Sequence, residues 1–404
     1  MYRHRLSPFK DSMQIGPRVR VGAGDDIVLV TNVGPTILRS YFKPLAEMKR
    51  VARLTVVRDT NFAAFADNVD WHPSAGASRM IPTRLVYRVF AIVKLVARRR
   101  PSVLMVMHWF PDGFYLYPLA RLLGVPLIAH IIGGTAEIDS GARKLALSRA
   151  PRAVKRAAQS VTRHMLSGLT AVTFTGPTTL ARFRSRGVAN SNLTVIRPVV
   201  SLDTPLRPLV ERGVDIVFVG RIDADKRFDR FLRVLARLGS SRSSIVVRVC
   251  GVTAADVASH EQTRRVTLPD AVRIEYLGQI DDVRPHLRAS RLFMLTSDSE
   301  GLSLAMLEAM GCGTVPVVTD VGDTGATLRE AASGIAIEVH PDEITTGEAI
   351  AREAARRLDD DALWARESKN AHAYIRDRHS AESATSDWDH LLSLSRAAVP
   401  GRKR

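Results

Sequence analysis

At 404 residues, 46% apolar and 25% charged, the chain has the composition of a globular protein long enough for two full cores. No run of 18 apolar residues occurs, so no membrane-spanning helix is expected, and Cys250 and Cys312 lie in no disulfide or zinc spacing, which points to a reducing cytosol. The net charge of +17 is uneven: residues 1–200 hold 30 basic against 10 acidic side chains, and residues 201–404 hold 28 against 31. The basic half calls for an anionic partner, and with only 6% aromatics and no binding module, nucleic acid is not expected to be it.

Residues 1–24 carry Arg3, Arg5, Lys10, Arg18 and Arg20 without an apolar core segment, so they read as a flexible basic lead-in and not as a secretory signal. Ile27-Val28-Leu29-Val30-Thr31 predicts a strand, Asn32-Val33-Gly34-Pro35 a turn, and the next residues a helix. Gly34 can bring backbone close to a ligand there. Strands are also predicted at 54–57, 103–107, 126–132, 171–174 and 193–196. His108 follows the 103–107 strand, and Gly133-Gly134-Thr135 closes the 126–132 strand. Strands alternating with helices argue for a doubly wound α/β domain over residues 25–200.

Residues 197–213 carry three prolines and no periodicity, which marks a linker. A second series of strands follows at 216–219, 245–249, 274–277, 292–295 and 314–318, giving a second α/β domain over 201–383. Residues 343–396 predict helices with Trp364 and Trp388 as packing anchors, and Gly401-Arg402-Lys403-Arg404 is a basic tail. Two stretches in the first half, 84–100 and 142–163, combine arginines with apolar residues in the manner of helices that lie on anionic lipid.

The densest chemistry falls between residues 297 and 323. A predicted strand ends in Ser297-Asp298-Ser299-Glu300-Gly301, and a helix then begins near Leu302, Ser303 and Leu304. Gly301 permits close approach of a ligand, and backbone N–H groups at the helix start have no acceptors within the helix. They suit an anionic phosphate. Glu300 precedes the turn and Glu308 lies about two helical turns beyond it. Each carboxylate can accept from the paired hydroxyls of a sugar or ribose. One phosphate seat between two such carboxylates describes a nucleotide-sugar site.

The pattern S-x-x-E-G-x-x-x-x-x-L-E-A-M-x-x-G-x-x-P-V-V resembles the donor-site motif of the family 4 glycosyltransferases. That resemblance implies the GT-B fold, two Rossmann-like doubly wound domains facing a cleft, with residues 384–404 holding a last helix that crosses back to the first domain. It is firm from about residue 214 to 323 and looser elsewhere. It implies that Glu308 holds the ribose and Glu300 the transferred hexose. Val219-Gly220-Arg221-Ile222-Asp223-Ala224-Asp225-Lys226 resembles the family's G-R-x-x-x-x-K element, which gives Arg221 and Lys226 to the donor phosphates. Arg227 stands where the family usually has glycine. Turns at Gly251 and Ile280 are expected beside the nucleobase.

Asp223 and Asp225 have the spacing of a metal-binding pair, but flanking Arg221 and Lys226 make ion pairing the expectation, and no metal or other cofactor is expected. On the acceptor side the sequence offers His108, Gly133 and Gly134, with His130 as a rival, and the family's His-Gly loop has no histidine here. The expected function is retaining transfer of a sugar from a UDP- or GDP-sugar to a sugar or lipid-linked acceptor, in polysaccharide or glycolipid synthesis. The expected place is the cytoplasm, on the inner face of the membrane. The alternatives are a GT-B-like binding protein without turnover and a sugar-nucleotide epimerase.

Overall fold

A computed structural model of the chain describes residues 24–59, 63–73, 81–134, 137, 151–202 and 205–397. The basic lead-in 1–23, residues 142–150 of the second basic stretch, Thr135 and the tail 401–404 lie outside these. The strands form two parallel sheets. The first joins β1 (Asp25–Val30), β2 (Val51–Arg58), β3 (Val69–Pro73), β4 (Val103–Met107), β5 (Leu127–Ile131), β6 (Ala171–Phe174) and β7 (Leu193–Val195) in the order β3-β2-β1-β4-β5-β6-β7. The second joins β8 (Val214–Val219), β9 (Ile245–Cys250), β10 (Val272–Gly278), β11 (Ser290–Leu295), β12 (Val315–Thr319) and β13 (Ile335–Ile337) in the order β10-β9-β8-β11-β12-β13. Each sheet reverses its strand order once, between β1 and β4 and between β8 and β11. Those switch points are where open α/β sheets bind ligands.

The central strands are continuous apolar runs because helices cover both of their faces. On one face of the first sheet lie α1 (Pro35–Ala46) and the last helix, where Phe42, Trp388, Leu391 and Leu392 pack on Ile27, Leu29 and Met105. On the other lie α2 (Ile81–Arg99), α3 (Asp112–Leu123), α4 (Arg152–Ser167) and α5 (Pro177–Ser185). Ile92, Leu116, Leu166 and Phe183 bury these four against Val28, Leu104 and Val172. The second sheet is covered by α6 (Phe228–Gly239), with Phe228 and Phe231 on Phe218, and on its opposite face by the helix Leu304–Gly311. Smaller helices α7 (Ala254–Ser259), α8 (Glu261–Arg264) and α9 (Arg284–Arg288) precede that helix, α10. After it come α11 (Thr324–Ala331), α12 (Glu343–Asp359), α13 (Asp361–Arg378) and α14 (Ala381–Ala397).

The chain crosses between the two sheets twice. Between β7 and β8 it is pinned by Val199 N–H to Ser40 O and Val200 N–H to His379 O. At the end, α14 leaves the second domain and lies on α1, where Trp388 Nε1 donates to Tyr41 O at 3.0 Å. Trp364 stays in the second domain, donating to Arg291 O beneath the Arg212 guanidinium.

A third bridge is a single carboxylate. Asp323, fully buried at the start of α11, accepts from the N–H groups of Thr178 and Thr179 at 2.8 and 3.1 Å. It also accepts from the Thr175 and Thr179 hydroxyls. An acid from one domain thus caps α5 of the other, where the helix dipole favours negative charge.

Candidate active site

The loop after β8 and the turn after β11 meet at the switch point of the second sheet. Lys226 Nζ donates to Glu300 Oε1 at 2.5 Å, and Ser297 Oγ donates to the same oxygen at 2.7 Å. Both charged side chains are largely shielded. This differs from the pairing expected within the loop: Asp223 accepts from the Lys226 backbone N–H at 2.9 Å, and the Lys226 ammonium goes to Glu300. Asp225 meets the β11 turn through its carbonyl, which accepts from Asp298 N–H. Among the described residues no group of three or more metal-ligating side chains occurs.

Arg227 explains how this chain tolerates a side chain where the family usually has glycine. Its backbone is left-handed, φ 49° and ψ 52°, which costs a non-glycine residue about 1–2 kcal/mol. Its guanidinium is bound by Asp229, Asp298 and Glu343. Arg230, 1% exposed, donates to Asp298, Glu343 and Thr296 O. Hydrogen bonds from Arg230 and then Arg227 hold the Glu343 carboxyl down at about 2. This lattice fastens the loop to the β11 turn and so sets the distance between Lys226 and Glu300.

Beside the pair, the ends of β8, β9 and β10 enclose a cavity of about 330 Å³ lined by Gly220, exposed Arg221, Gly251, Gln279, Ile280 and Val283. Gly251 (φ 94°) admits no side chain, because a Cβ would lie 2.4 Å from Gly220 O. Glu308, on α10, is influenced by Arg284 and Asp282, the neighbours of Val283. Burial pushes its carboxyl up to about 7, opposed by the Arg284 charge.

At the start of α10 the Ser303 hydroxyl accepts from Met306 N–H, so the helix is capped from within and begins at Leu304, after Leu302 and Ser303. Gly301 is also where the first domain closes on this turn. A Cβ there would lie 1.9 Å from Ile132 O, so what approaches it is the first domain's own backbone. Gly134 faces the same turn, with a notional Cβ 2.9 Å from Glu300 O. Gly322 (φ 61°) closes on the Gly301 and Glu300 carbonyls from the other side, and Asp323 N–H donates to Gly301 O at 2.7 Å.

Ile132 and Gly134 therefore stand against the Glu300–Gly301 turn, and Glu137 ties His108 to Gly133 beside them. The Glu137 carboxylate is 3.0 Å from His108 Nδ1 and accepts from the N–H groups of Trp109, Ile132 and Gly133. Burial alone would raise its pKa, but His108 and the backbone donors hold it below the usual carboxylate range. His108 is itself left-handed (φ 68°) and its side chain is 40% exposed. The carboxylate fixes Nδ1 as the donor and leaves Nε2 for a ligand.

Sequence reading passed over Glu137 and Asp323. A carboxylate three residues past a pair of loop glycines was the available sign for the first; for the second, adjacency to Gly322 was the sign. His130 is not in the cleft. It lies under Tyr41, Phe42 and Trp388, with Nδ1 2.6 Å from Thr173 Oγ1, and burial pushes its pKa down to about 3. Gly34 ends the β1 turn at the head of α1, exposed, with no atom within 4 Å of a notional Cβ.

Residues 22–198 match the family model described as "Glycosyl transferase 4-like domain", and residues 213–360 match "Glycosyl transferases group 1". Among curated proteins the chain is 29% identical to a D-inositol 3-phosphate glycosyltransferase of Salinispora arenicola, over 46% of this chain and 40% of that one. It is 28% identical to a lipopolysaccharide core biosynthesis mannosyltransferase of Rhizobium leguminosarum, over 41% and 47%. The matched segments thus span less than half of these two relatives. Of solved structures, sucrose-phosphate synthase from Thermosynechococcus elongatus superposes with a TM-score of 0.74 at 18% identity, covering 92% of this chain and 99% of the other. HepE of Anabaena, solved with UDP-glucose, gives 0.68 at 15%, covering 91% and 99%.

Proposed function

Because the chain belongs to the family 4 glycosyltransferases of the GT-B fold, we propose that it moves a sugar from a nucleoside-diphosphate sugar to an acceptor hydroxyl. The observation that carries this reading is the shielded Lys226–Glu300 pair, which joins the loop whose Gly220 and Arg221 line a nucleotide-sized cavity to the turn before α10. The nucleoside enters the cavity lined by Gly220, Gly251 and Ile280, with its ribose on Glu308. The diphosphate meets Arg221, Lys226 and the N–H groups at the head of α10. Glu300 holds the hexose. As the bond from C1 to the phosphate oxygen breaks, these cations and dipoles stabilise the charge on the leaving diphosphate.

Of the two carboxylates in this turn, Glu300 is engaged by Lys226 and Ser297, and Asp298 by Arg227 and Arg230. Front-side attack with retained configuration therefore fits, the departing phosphate oxygen taking the acceptor proton. The acceptor lies on the first domain, against His108, Gly133 and Gly134, with His108 Nε2 set to bind one of its hydroxyls. UDP or GDP is the donor's nucleotide; the neighbour solved with UDP-glucose supports the first and the mannosyltransferase relative the general class. The acceptor is a sugar or lipid-linked sugar at the cytoplasmic face of an anionic membrane, and no metal takes part. The test is to supply UDP- and GDP-sugars with sugar and lipid-linked acceptors and follow the anomeric proton of the product by NMR. Transfer with retention supports the reading; inversion, or an epimerised nucleotide sugar formed without acceptor, overturns it.

Nucleotide affinity should depend on pH. Ribose hydroxyls donate to the ionised form of Glu308, so binding draws its pKa below the value of about 7. Affinity should fall as pH drops below that value, by up to about tenfold per pH unit. In the ligand-free chain the sign is opposite. The neutral carboxyl's contribution to stability is complete below the ordinary value of 4.5 and is lost as pH rises through about 7. Calorimetric titration across this range checks the first effect, and a Glu308→Gln variant should flatten it.

A further inference from the structure

The helical layer formed by α2, α3, α4 and α5 has an outer surface unlike the rest of the molecule. Among the described residues nine large apolar side chains are exposed, and seven of them are on this layer. They are Val86, Phe90 and Val93 on α2, Leu122 and Leu123 on α3, and Val154 and Val161 on α4. Phe90 is 64% exposed and Leu122 83%. The spacings 86-90-93 and 154-161 each keep one helical face, opposite the face that carries Ile92, Leu95 and Leu166 into the core.

The charge on the same four helices is as one-sided. Their sequences contain twelve arginines and lysines and one acidic residue, Asp112, which is buried against Arg88. Arg98, Arg121, Arg152, Arg156 and Arg182 are exposed on these helices, while Arg99 turns back to Asp70. Apolar side chains standing among arginines fit a bilayer interface, where the former enter the acyl boundary and the latter meet lipid phosphates.

We infer that the outer face of α2, α3 and α4 docks the protein on an anionic lipid bilayer. The topology sets what this does. All strands of the first sheet run parallel, so each helix that follows a strand starts at the cleft edge and runs away from it. The first turns of α2 and α4, which lead to Val86, Phe90 and Val154, therefore lie at the same edge as His108 and Gly133. Docking brings lipid headgroups to the acceptor side of the cleft. That last consequence rests on the proposed acceptor site; the surface itself stands without it.

The test is co-sedimentation of the full chain with vesicles of phosphatidylglycerol and phosphatidylcholine, and with phosphatidylcholine alone, in the absence of nucleotide or sugar. Binding to the first and not the second is expected, weakened by salt. A Phe90→Asp/Val154→Asp variant should bind about tenfold or more weakly, since each apolar side chain's insertion is lost. Its nucleotide affinity and thermal midpoint should match the wild type, which shows that it folds. Equal binding to both vesicles, or to neither, overturns the inference. So does concentration-dependent dimerisation, or capture of an RNA oligonucleotide, that the same variant abolishes while vesicles stay unbound. Because no donor or acceptor is present, failure here is distinct from failure of sugar transfer.

Discussion

A Lys226→Ala variant is expected to lose about 10²–10³-fold in kcat, the range seen when one charge-stabilising donor is removed from a preorganised site. The lysine has two tasks that alanine cannot perform. Its ammonium is the cation beside the α10 turn, and its bond to Glu300 Oε1 fixes the carboxylate assigned to the hexose. The loss should be functional and not structural. Arg227 and Arg230 hold the surrounding loop through Asp229, Asp298 and Glu343, and Thr296 Oγ1 donates to the Lys226 carbonyl, which alanine keeps. The thermal midpoint should stay close to that of the wild type while turnover collapses. Lys226→Arg should recover part of the rate, because it restores the charge in a wider, differently directed group. Steady-state kinetics with a nucleotide sugar check this; turnover within threefold of wild type contradicts the assignment.

Gly301→Ala is expected to lower kcat by about 10²-fold while leaving nucleotide affinity within severalfold, because it separates the domains and not the donor from its pocket. The added Cβ would stand 1.9 Å from Ile132 O and 2.9 Å from Ile132 C. Both are backbone atoms, so no rotamer relieves the clash. Restoring ordinary contact moves the Ile132–Gly134 loop off the turn by about 1.5 Å, and reaction needs donor and acceptor atoms within roughly 3–3.5 Å. The cavity lined by Gly220, Gly251 and Ile280 lies wholly in the second domain and should keep its shape. Comparing kcat with the dissociation constant of the nucleoside diphosphate separates the two effects. Equal loss in both would mean that Gly301 serves the ligand directly, as its motif suggests.

The second domain was the legible half. Its apolar strands are short, uniform and separated by turns, and the motif lies within one strand, turn and helix, so the sequence pattern puts Glu300, Gly301 and Glu308 on one local unit. The link between Lys226 and Glu300 was not legible, because 74 residues separate them and only the β8–β11 adjacency joins their loops. Two edge strands escaped notice for opposite reasons. Val69–Pro73 alternates polar and apolar residues and ends in a proline that an edge tolerates, and Ile335–Ile337 is three residues long.

The first domain's side of the cleft depends on contacts that no local pattern records. Glu137 matters because its carboxylate gathers three backbone N–H groups and a histidine from two loops. Asp323 matters because it reaches another domain. His108 and His130 both follow or end apolar strands, and only tertiary packing shows that one faces the cleft edge and the other is sealed in the core. Conversely, Arg227 looked like a mild departure from a family glycine. The left-handed backbone and three acidic partners give the departure its physical reason.

The most direct measurement is a calorimetric titration of UDP, GDP and ADP into the wild-type chain and a Glu308→Ala variant, with a chelator present. The account predicts that UDP or GDP binds in the chelator, and that the substitution weakens it by about tenfold or more through loss of a charged hydrogen-bonding partner. Absence of binding by all three nucleotides would contradict it, as would binding that the substitution leaves unchanged. Binding that vanished with chelator would return Asp223 and Asp225 to the site as metal ligands.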